Sequence, residues 1–181
     1  SRNDILVHGE EELDEDLVTA YKDALQKRCT HIPLQHITGV QNFMGLDFMV
    51  NEHVLIPRFD TEILVEEVMK FLHDGFSILD MCTGSGCVLL SLLKYSNDCK
   101  GLGVDVSADA LAVANTNKEK LGIEASFIES NLFEQVTGKY DIIVSNPPYI
   151  RSDVIPTLME EVREHEPILA LDGTEDGLFF Y

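Results

Sequence analysis

The tetrapeptide Asn146-Pro147-Pro148-Tyr149 contains the residue types that could hold a planar amide or amine nitrogen in place. It follows an apolar run that predicts a buried strand, and neither proline can donate a backbone hydrogen bond, so the strand must end there. The Asn146 side chain and the carbonyl of the Asn-Pro bond can then both point outward as acceptors for two N–H groups. Tyr149 adds a flat face for stacking. The lone pair of such a nitrogen is delocalised, which makes the nitrogen a poor nucleophile. Two acceptors that hold its N–H groups would orient the nitrogen toward an electrophile.

A second group of small residues follows an earlier apolar run. Small residues let the backbone turn sharply and approach a ligand before a helix N-terminus, which favours a carboxylate. They are Cys82, Thr83, Gly84, Ser85 and Gly86. Asp105 ends the next apolar run and could accept hydrogen bonds from both hydroxyls of a ribose. The turn departs from GxGxxG, which favours a cofactor with an amino-acid tail over a pyrophosphate, although such turns also occur for packing alone.

The elements that must position these groups follow from hydrophobic periodicity. Four short apolar runs predict strands, and the longer segments between the first three predict helices. The strands are 77–81, 101–106, 125–129 and 140–145, and the helices are 86–94 and 107–121. Parallel strands need helical crossovers, so this alternation predicts a doubly wound α/β fold with a Rossmann-like sheet. Ligands bind beyond the carboxyl ends of such strands, where the residues above would lie.

Upstream of the sheet, the pattern changes. Apolar residues at helical spacing over 11–28 predict an amphipathic helix, and rough alternation over 43–55 predicts a β-hairpin. Asp60 or Thr61 is expected to cap a further helix that ends at Gly75. A short helical segment and a hairpin would therefore precede the sheet.

Charge and cysteine usage limit the partners of this 181-residue chain. Thirteen Lys plus Arg against 32 Asp plus Glu give a formal net charge of -19, which repels phosphate backbones and argues against direct nucleic-acid binding. No stretch approaches the ~18 consecutive apolar residues of a membrane span. The four cysteines form no CxxC pair, so we expect reduced thiols, no metal site and a cytoplasmic protein.

The order ILDMCTGSG, GVDVS, SNLF and IIVSNPPYI resembles the class I methyltransferases, and NPPY resembles the signature of those that methylate planar nitrogens. The segment PLQHITGVQNFMGLDFMVNEHVLIPRFDTEILVE is similar to the PrmC/HemK family, the N5-glutamine methyltransferases of peptide chain release factors. The resemblance covers almost the whole chain from Pro33 onward. It implies an enzyme that transfers a methyl group from S-adenosylmethionine to the glutamine of a glycine-glycine-glutamine loop in a release factor, leaving S-adenosylhomocysteine.

Carried over residue by residue, the resemblance implies that the small-residue turn wraps the methionine part of the cofactor and that Asp105 holds the ribose. Asn131 and Leu132 would lie by the adenine, and Asn146 would touch both cofactor and substrate. The glutamine pocket would consist of Asn146, Pro147, Pro148 and Tyr149.

The resemblance does not assign a single role to two residues of the IPRFDTE stretch. Arg58 and Thr61 could order the pocket wall, but a salt bridge or a helix cap explains them equally well.

The resemblance also divides the chain. Residues 1–38 would be the remnant of an N-terminal helical domain, 39–56 a hairpin linker, and 57–181 the methyltransferase domain. The family's sheet continues through three more strands, so we expect a sheet truncated after its fourth strand.

Three other functions stay open. An N6-adenine DNA or RNA methyltransferase would also use NPPY, because an exocyclic adenine amine is planar, although the charge opposes it. A nicotinamide dehydrogenase would use Asp105 but leave NPPY unexplained. An inactive module that only binds S-adenosylmethionine would keep the fold without the reaction.

Overall fold

The computed structural model describes residues 2–9 and 12–181. The α-helices are α1 (Arg2–His8), α2 (Glu15–Cys29), α3 (Leu34–Thr38), α4 (Phe59–Met69), α5 (Cys87–Lys94), α6 (Ala108–Leu121), α7 (Glu160–Arg163) and α8 (Ile168–Leu171). The strands are β1 (Val40–Phe43), β2 (Leu46–Met49), β3 (Ser77–Met81), β4 (Lys100–Asp105), β5 (Ser126–Glu129) and β6 (Ile142–Ser145). A 3₁₀ turn covers Ile155–Thr157. None of the described helices is both long and apolar enough to cross a membrane.

Strands β3 to β6 form one parallel sheet in the order β5-β4-β3-β6. Helices α5 and α6 are the crossovers from β3 to β4 and from β4 to β5. The chain then crosses to the other side of β3, where β6 pairs with it, so the strand order reverses between β3 and β6. This reversal is the position where parallel α/β sheets bind ligands. The predicted α/β class is confirmed, and β3 has the predicted bounds.

The two faces of this sheet bury different residues. Ile78 of β3 packs on one face with Val65 of α4 and Leu89 of α5. The opposite face packs against the segment between β5 and β6. The residues in that contact are Leu79, Met81 and Val104 from the sheet and Leu132, Val136 and Tyr140 from the segment. Because strand residues alternate between faces, β3 contributes to both clusters.

The hairpin precedes the sheet but starts and ends earlier than predicted. Strands β1 and β2 pair antiparallel over residues 40–49, and Met44 and Gly45 form the turn with φ of 51° and 72°. Positive φ at both central residues suits a two-residue hairpin turn. Buried Asn117 of α6 fixes β2, because it accepts from the Met49 N–H at 2.6 Å and donates to the Met49 carbonyl at 3.0 Å.

The N-cap of helix α4 is not one of the residues that the sequence predicted. Arg58 is the N-cap residue and its side chain makes no capping bond, so neither Asp60 nor Thr61 caps the helix. Both lie inside the first turn. The helix also ends at Met69 rather than at Gly75, which follows in a loop with φ of 80°.

The chain after β6 folds back against the residues that follow this strand. Ile150 forms a parallel bridge with Asp172, and the Gly173 N–H donates to the Ile150 carbonyl at 2.8 Å. A Cβ added to Gly177 would lie 2.5 Å from the Tyr149 carbonyl oxygen. These close contacts fix the backbone directly downstream of Asn146.

Candidate functional site

A cavity of about 330 Å³ opens at the carboxyl ends of the four parallel strands. Most of the residues predicted for the site line it. They are Cys82, Thr83, Gly84, Ser85, Asp105, Asn131, Leu132, Asn146 and Pro148. Among the described residues, the wall omits Gly86, Pro147 and Tyr149. The turn after β3, the acid that ends β4, and Asn146 with Pro148 after β6 thus meet in one place.

The turn after β3 depends on left-handed backbone conformations. Cys82, Gly84 and Gly86 have φ of 60°, 55° and 78°. A Cβ at Gly84 would meet nothing within 4 Å, which shows that its backbone faces open space. Gly86 has a packing role instead, because its Cβ would lie 3.2 Å from the Phe127 ring. Gly86 therefore positions α5 and the turn without facing the cavity.

Asp105 connects this turn to β4. Its Oδ2 accepts from the Gly84 N–H at 2.8 Å and its Oδ1 accepts from the Ser107 N–H at 3.0 Å. Ser107 in turn caps α6, since its hydroxyl accepts from the Ala110 N–H at 3.2 Å. Each carboxylate oxygen carries two lone pairs, so both oxygens can accept one further donor from the cavity.

Asp80, the fourth residue of β3, is a buried acid that the sequence reasoning missed. Its Oδ2 accepts from the Thr83 hydroxyl at 2.6 Å. Burial raises the pKa of Asp80 to about 7, and the nearby charge of Asp105 adds to this rise while the Thr83 hydrogen bond opposes it. A charged residue inside an otherwise apolar strand is visible in the sequence, and that signal could have identified it.

Cys82 lines the cavity but is not a reactive nucleophile. Burial, assisted by the charges of Asp105 and Asp80, raises the pKa of its thiol to about 11. Since the thiolate is the nucleophilic form, Cys82 presents a neutral side chain near pH 7. All four cysteines of the chain are free.

The loop after β5 supplies the third part of the wall. Leu132 adopts φ of 49°, and the Ser130 hydroxyl donates to its carbonyl at 2.9 Å. Asn131 is exposed, and its Nδ2 donates to Glu134 at 3.0 Å. The Oδ1 of Asn131 can therefore accept from a ligand while its nitrogen is held by a neighbour.

Asn146 lies where β6 ends. The preceding Ser145 donates its hydroxyl to the Met81 carbonyl at 2.8 Å, which ties the ends of β6 and β3 together. The Nδ2 of Asn146 donates to the Thr61 hydroxyl at 3.4 Å. Pro147 is buried, whereas Tyr149 is 60% exposed and outside the wall.

Arg58, which follows Pro57 of the cavity wall, forms an ion pair. It donates to Glu166, whose side chain is only 1% exposed. Burial raises the pKa of Glu166, and the charge of Arg58 opposes this rise. The pair links the segment that contains Pro57 and Thr61 to the segment that contains Pro167, and all three residues line the cavity. Of the alternatives for Arg58, the structure shows the salt bridge.

Thr61, one of the two residues expected to order the pocket wall, lines the cavity. Other wall residues were not predicted, among them His53, Val54, Leu55 and Pro57 before the sheet, Val106, Ser107, Ala110 and Ser130 near the strand ends, and Pro167, Leu169, Ala170, Phe179 and Phe180 in the last segment. The last group has no local sequence signal, because only the fold brings residues so far along the chain to the cavity.

The parallel sheet with a cavity at its carboxyl edge, the glycine-containing turn after β3 and the acid that ends β4 define the class I methyltransferase fold. The chain belongs to the methyltransferase small domain family, whose model matches residues 58–169. Residues 1–39 match the PrmC N-terminal domain.

Curated relatives agree with these family matches. The chain is 44% identical to the release factor glutamine methyltransferase of Clostridium acetobutylicum, over 98% of this chain and 65% of that protein. It is 41% identical to the protein of the same name from Agrobacterium fabrum, over 100% of this chain and 65% of the relative. The chain thus spans about 65% of the length of these curated relatives. Among solved structures, a Pyrococcus abyssi tRNA (uracil-54, C5)-methyltransferase in complex with S-adenosyl-L-homocysteine superposes with a TM-score of 0.51 at 24% identity, over 60% of this chain and 28% of that one.

Proposed function

We propose that this chain transfers a methyl group from S-adenosylmethionine to the side-chain amide nitrogen of a glutamine in a peptide chain release factor. The observation that carries the proposal is that one cavity holds both Asp105, next to the turn after β3, and Asn146 with Pro148 after β6. The names of the curated relatives support the same reaction. Apolar side chains in the rest of the wall, among them Val54, Leu132 and Phe180, suit an organic cofactor.

The residues present fit S-adenosylmethionine. Asp105 keeps lone pairs on both carboxylate oxygens for ribose hydroxyls, in addition to the backbone bonds it already accepts. Open space over Gly84 admits the methionine part, and Leu132 and Val106 offer apolar surface for the adenine. A cavity of about 330 Å³ lies within the ~300–1,000 Å³ range of small-molecule sites. When bound, this cofactor supplies a methyl group on a positively charged sulfur.

The chain's own task is alignment of the nitrogen. The Oδ1 of Asn146 and the backbone carbonyl of its Asn-Pro bond can accept the two N–H groups of a glutamine amide. This holds the nitrogen in line for displacement, which forms the N–C bond as the S–C bond breaks. The nitrogen then loses one proton to solvent, so no strong base is required, in agreement with the absence of His and Lys from the tetrapeptide.

Charge favours a protein over a nucleic acid as the acceptor. With a formal charge of -19, the chain repels a phosphate backbone and attracts basic surfaces. We place the reaction in the cytoplasm, which the four free cysteines support.

A competition assay tests the proposal. The chain is incubated with labelled S-adenosylmethionine, a folded release factor with its glycine-glycine-glutamine loop and an adenine-containing duplex, with a release factor whose loop glutamine is replaced by alanine as the control. We expect label on the release factor and none on the control. Label on the duplex alone would establish an adenine methyltransferase, and cofactor binding without transfer to either acceptor would establish an inactive binding module.

A further inference from the structure

We infer that Thr61 is a positioning residue for the methyl transfer, because its hydroxyl holds the Asn146 side chain with Oδ1 directed to the substrate amide. This inference rests on the proposed function. It starts from the hydrogen bond that the Asn146 Nδ2 donates to the Thr61 Oγ1 at 3.4 Å. Both residues line the same cavity and both are half-buried.

The orientation of an asparagine amide matters because its two ends have opposite roles. Oδ1 only accepts hydrogen bonds, and Nδ2 only donates them. A rotation of 180° about the Cβ–Cγ bond of Asn146 would turn two donor hydrogens toward the donor hydrogens of a glutamine amide. The substrate nitrogen would then be repelled instead of held. In the structure Nδ2 donates to Thr61, which leaves Oδ1 free for the substrate. A hydroxyl can also donate, so Thr61 fixes where the Asn146 amide lies, and the N–H donors of the substrate select this orientation of its two ends.

Thr61 can serve as that partner because its own position is fixed from both sides. It lies in the first turn of α4, three residues after Arg58, which forms the ion pair with buried Glu166. The next residue, Glu62, accepts from the Met44 N–H at 2.6 Å and so ties the same turn to the β-hairpin. These two contacts anchor the helix start to the chain before and after the sheet. The Thr61 hydroxyl therefore stays in place when Asn146 engages a substrate.

The experiment compares Thr61→Val with Thr61→Ser. Valine matches threonine in shape and β-branching, so it removes only the hydroxyl, and serine restores the hydroxyl without the methyl group. Thr116→Val is the control, because Thr116 is an exposed helical threonine of α6 whose hydroxyl bonds only the Ala112 carbonyl at 2.9 Å. We expect Thr61→Val to lower kcat about tenfold with little change in KM, and Thr61→Ser to recover most of the rate.

A second readout does not depend on turnover. The side-chain NH₂ signals of Asn146 in a ¹H–¹⁵N spectrum are assigned by their loss in Asn146→Asp. We expect these signals to shift and to show faster motion in Thr61→Val, to return in Thr61→Ser and to be unchanged in Thr116→Val. Unchanged NH₂ signals in Thr61→Val would overturn the inference, as would an unchanged kcat when the signals do shift. If the signals respond but the unaltered chain labels no glutamine, the proposed function fails and the contact stands.

Discussion

The Gly84 N–H donates a 2.8 Å hydrogen bond to Oδ2 of Asp105, which ties the turn after β3 to the end of β4. Asp105 therefore has two tasks, because the group placed to bind ribose hydroxyls also shapes the turn beside it. A substitution there changes the cofactor site in two ways at once.

We expect Asp105→Asn to weaken cofactor binding by about 1.5 to 3 kcal/mol, as measured by calorimetry. Asparagine has the same size, but its amide nitrogen replaces one of the two carboxylate oxygens. This nitrogen donates hydrogen bonds and cannot accept one from the N–H of Gly84 or Ser107. Asp98→Asn is the control, since Asp98 is exposed and its φ of 53° suits asparagine equally well. Equal dissociation constants for Asp105→Asn and the unaltered chain would remove Asp105 from the site.

The parts of the fold that sequence predicted well are those with local signals. Strand β3 is an apolar run apart from Ser77 and Asp80, and α6 begins at the Ser107 cap and ends before Gly122 with φ of 63°. The hairpin was placed too late because alternation over 43–55 continues beyond the paired residues. The two-residue turn at Met44 and Gly45 determines which residues of the hairpin pair.

The site could be predicted where it follows directly from strand ends. Asp105 ends β4 and Asn146 directly follows β6, and parallel strands bring their carboxyl ends to one edge. Phe180 and Pro167 reach the same cavity only because the chain folds back after β6, and no local pattern encodes that return. The partner of Arg58 was equally hidden, since Glu166 lies 108 positions later.

Asp80 makes stability depend on pH. Burial raises its pKa to about 7 in the folded chain, from the ordinary value of 3.8. Between about pH 4 and 7, Asp80 therefore carries fewer protons in the unfolded state than in the folded state. Its contribution to the free energy of unfolding falls as the pH rises through this range, and it levels off above about pH 7. Asp80→Asn cannot titrate and removes this fall.

Denaturant unfolding of both proteins at pH 5 and pH 7 checks this expectation. The stability of the unaltered chain relative to Asp80→Asn should decrease from pH 5 to pH 7, and other titrating groups cancel in the difference. A constant difference would show that Asp80 titrates in the folded chain as it does in the unfolded one.

Gly177 should be intolerant of a side chain. Its φ is 75°, and an added Cβ would lie 2.5 Å from the Tyr149 carbonyl oxygen, which is backbone and has little freedom to move. Gly138→Ala is a matched control, because its φ is 91° but nothing lies within 4 Å of its Cβ position. Both variants carry the left-handed strain, and only Gly177→Ala adds a clash.

Hydrogen exchange reports the result locally. The Gly173 N–H, which donates to the Ile150 carbonyl at 2.8 Å, should exchange faster in Gly177→Ala and at its usual rate in Gly138→Ala. Equal protection in both variants would mean that the segment can move away from Tyr149 at little cost.

Asn146→Asp separates cofactor binding from chemistry. The carboxylate still offers acceptor oxygens but has no Nδ2 to donate to Thr61, and it places a negative charge in the cavity. That charge favours the positively charged cofactor before the reaction, and this attraction weakens as the positive charge is lost in the transition state. We therefore expect cofactor affinity at least equal to that of the unaltered chain, with methyl transfer slower by about two orders of magnitude or more.

Two further variants complete this comparison. Asn146→Ala should keep much of the cofactor affinity and also lose transfer, because alignment is missing without any added charge. Asn3→Asp adds the same charge at an exposed position of α1 and should change neither quantity. Calorimetry gives the affinity, and single-turnover transfer of labelled methyl gives the rate. A rate close to that of the unaltered chain in both Asn146 variants would show that the asparagine does not hold the reacting nitrogen, and the role would then fall to the backbone carbonyl alone.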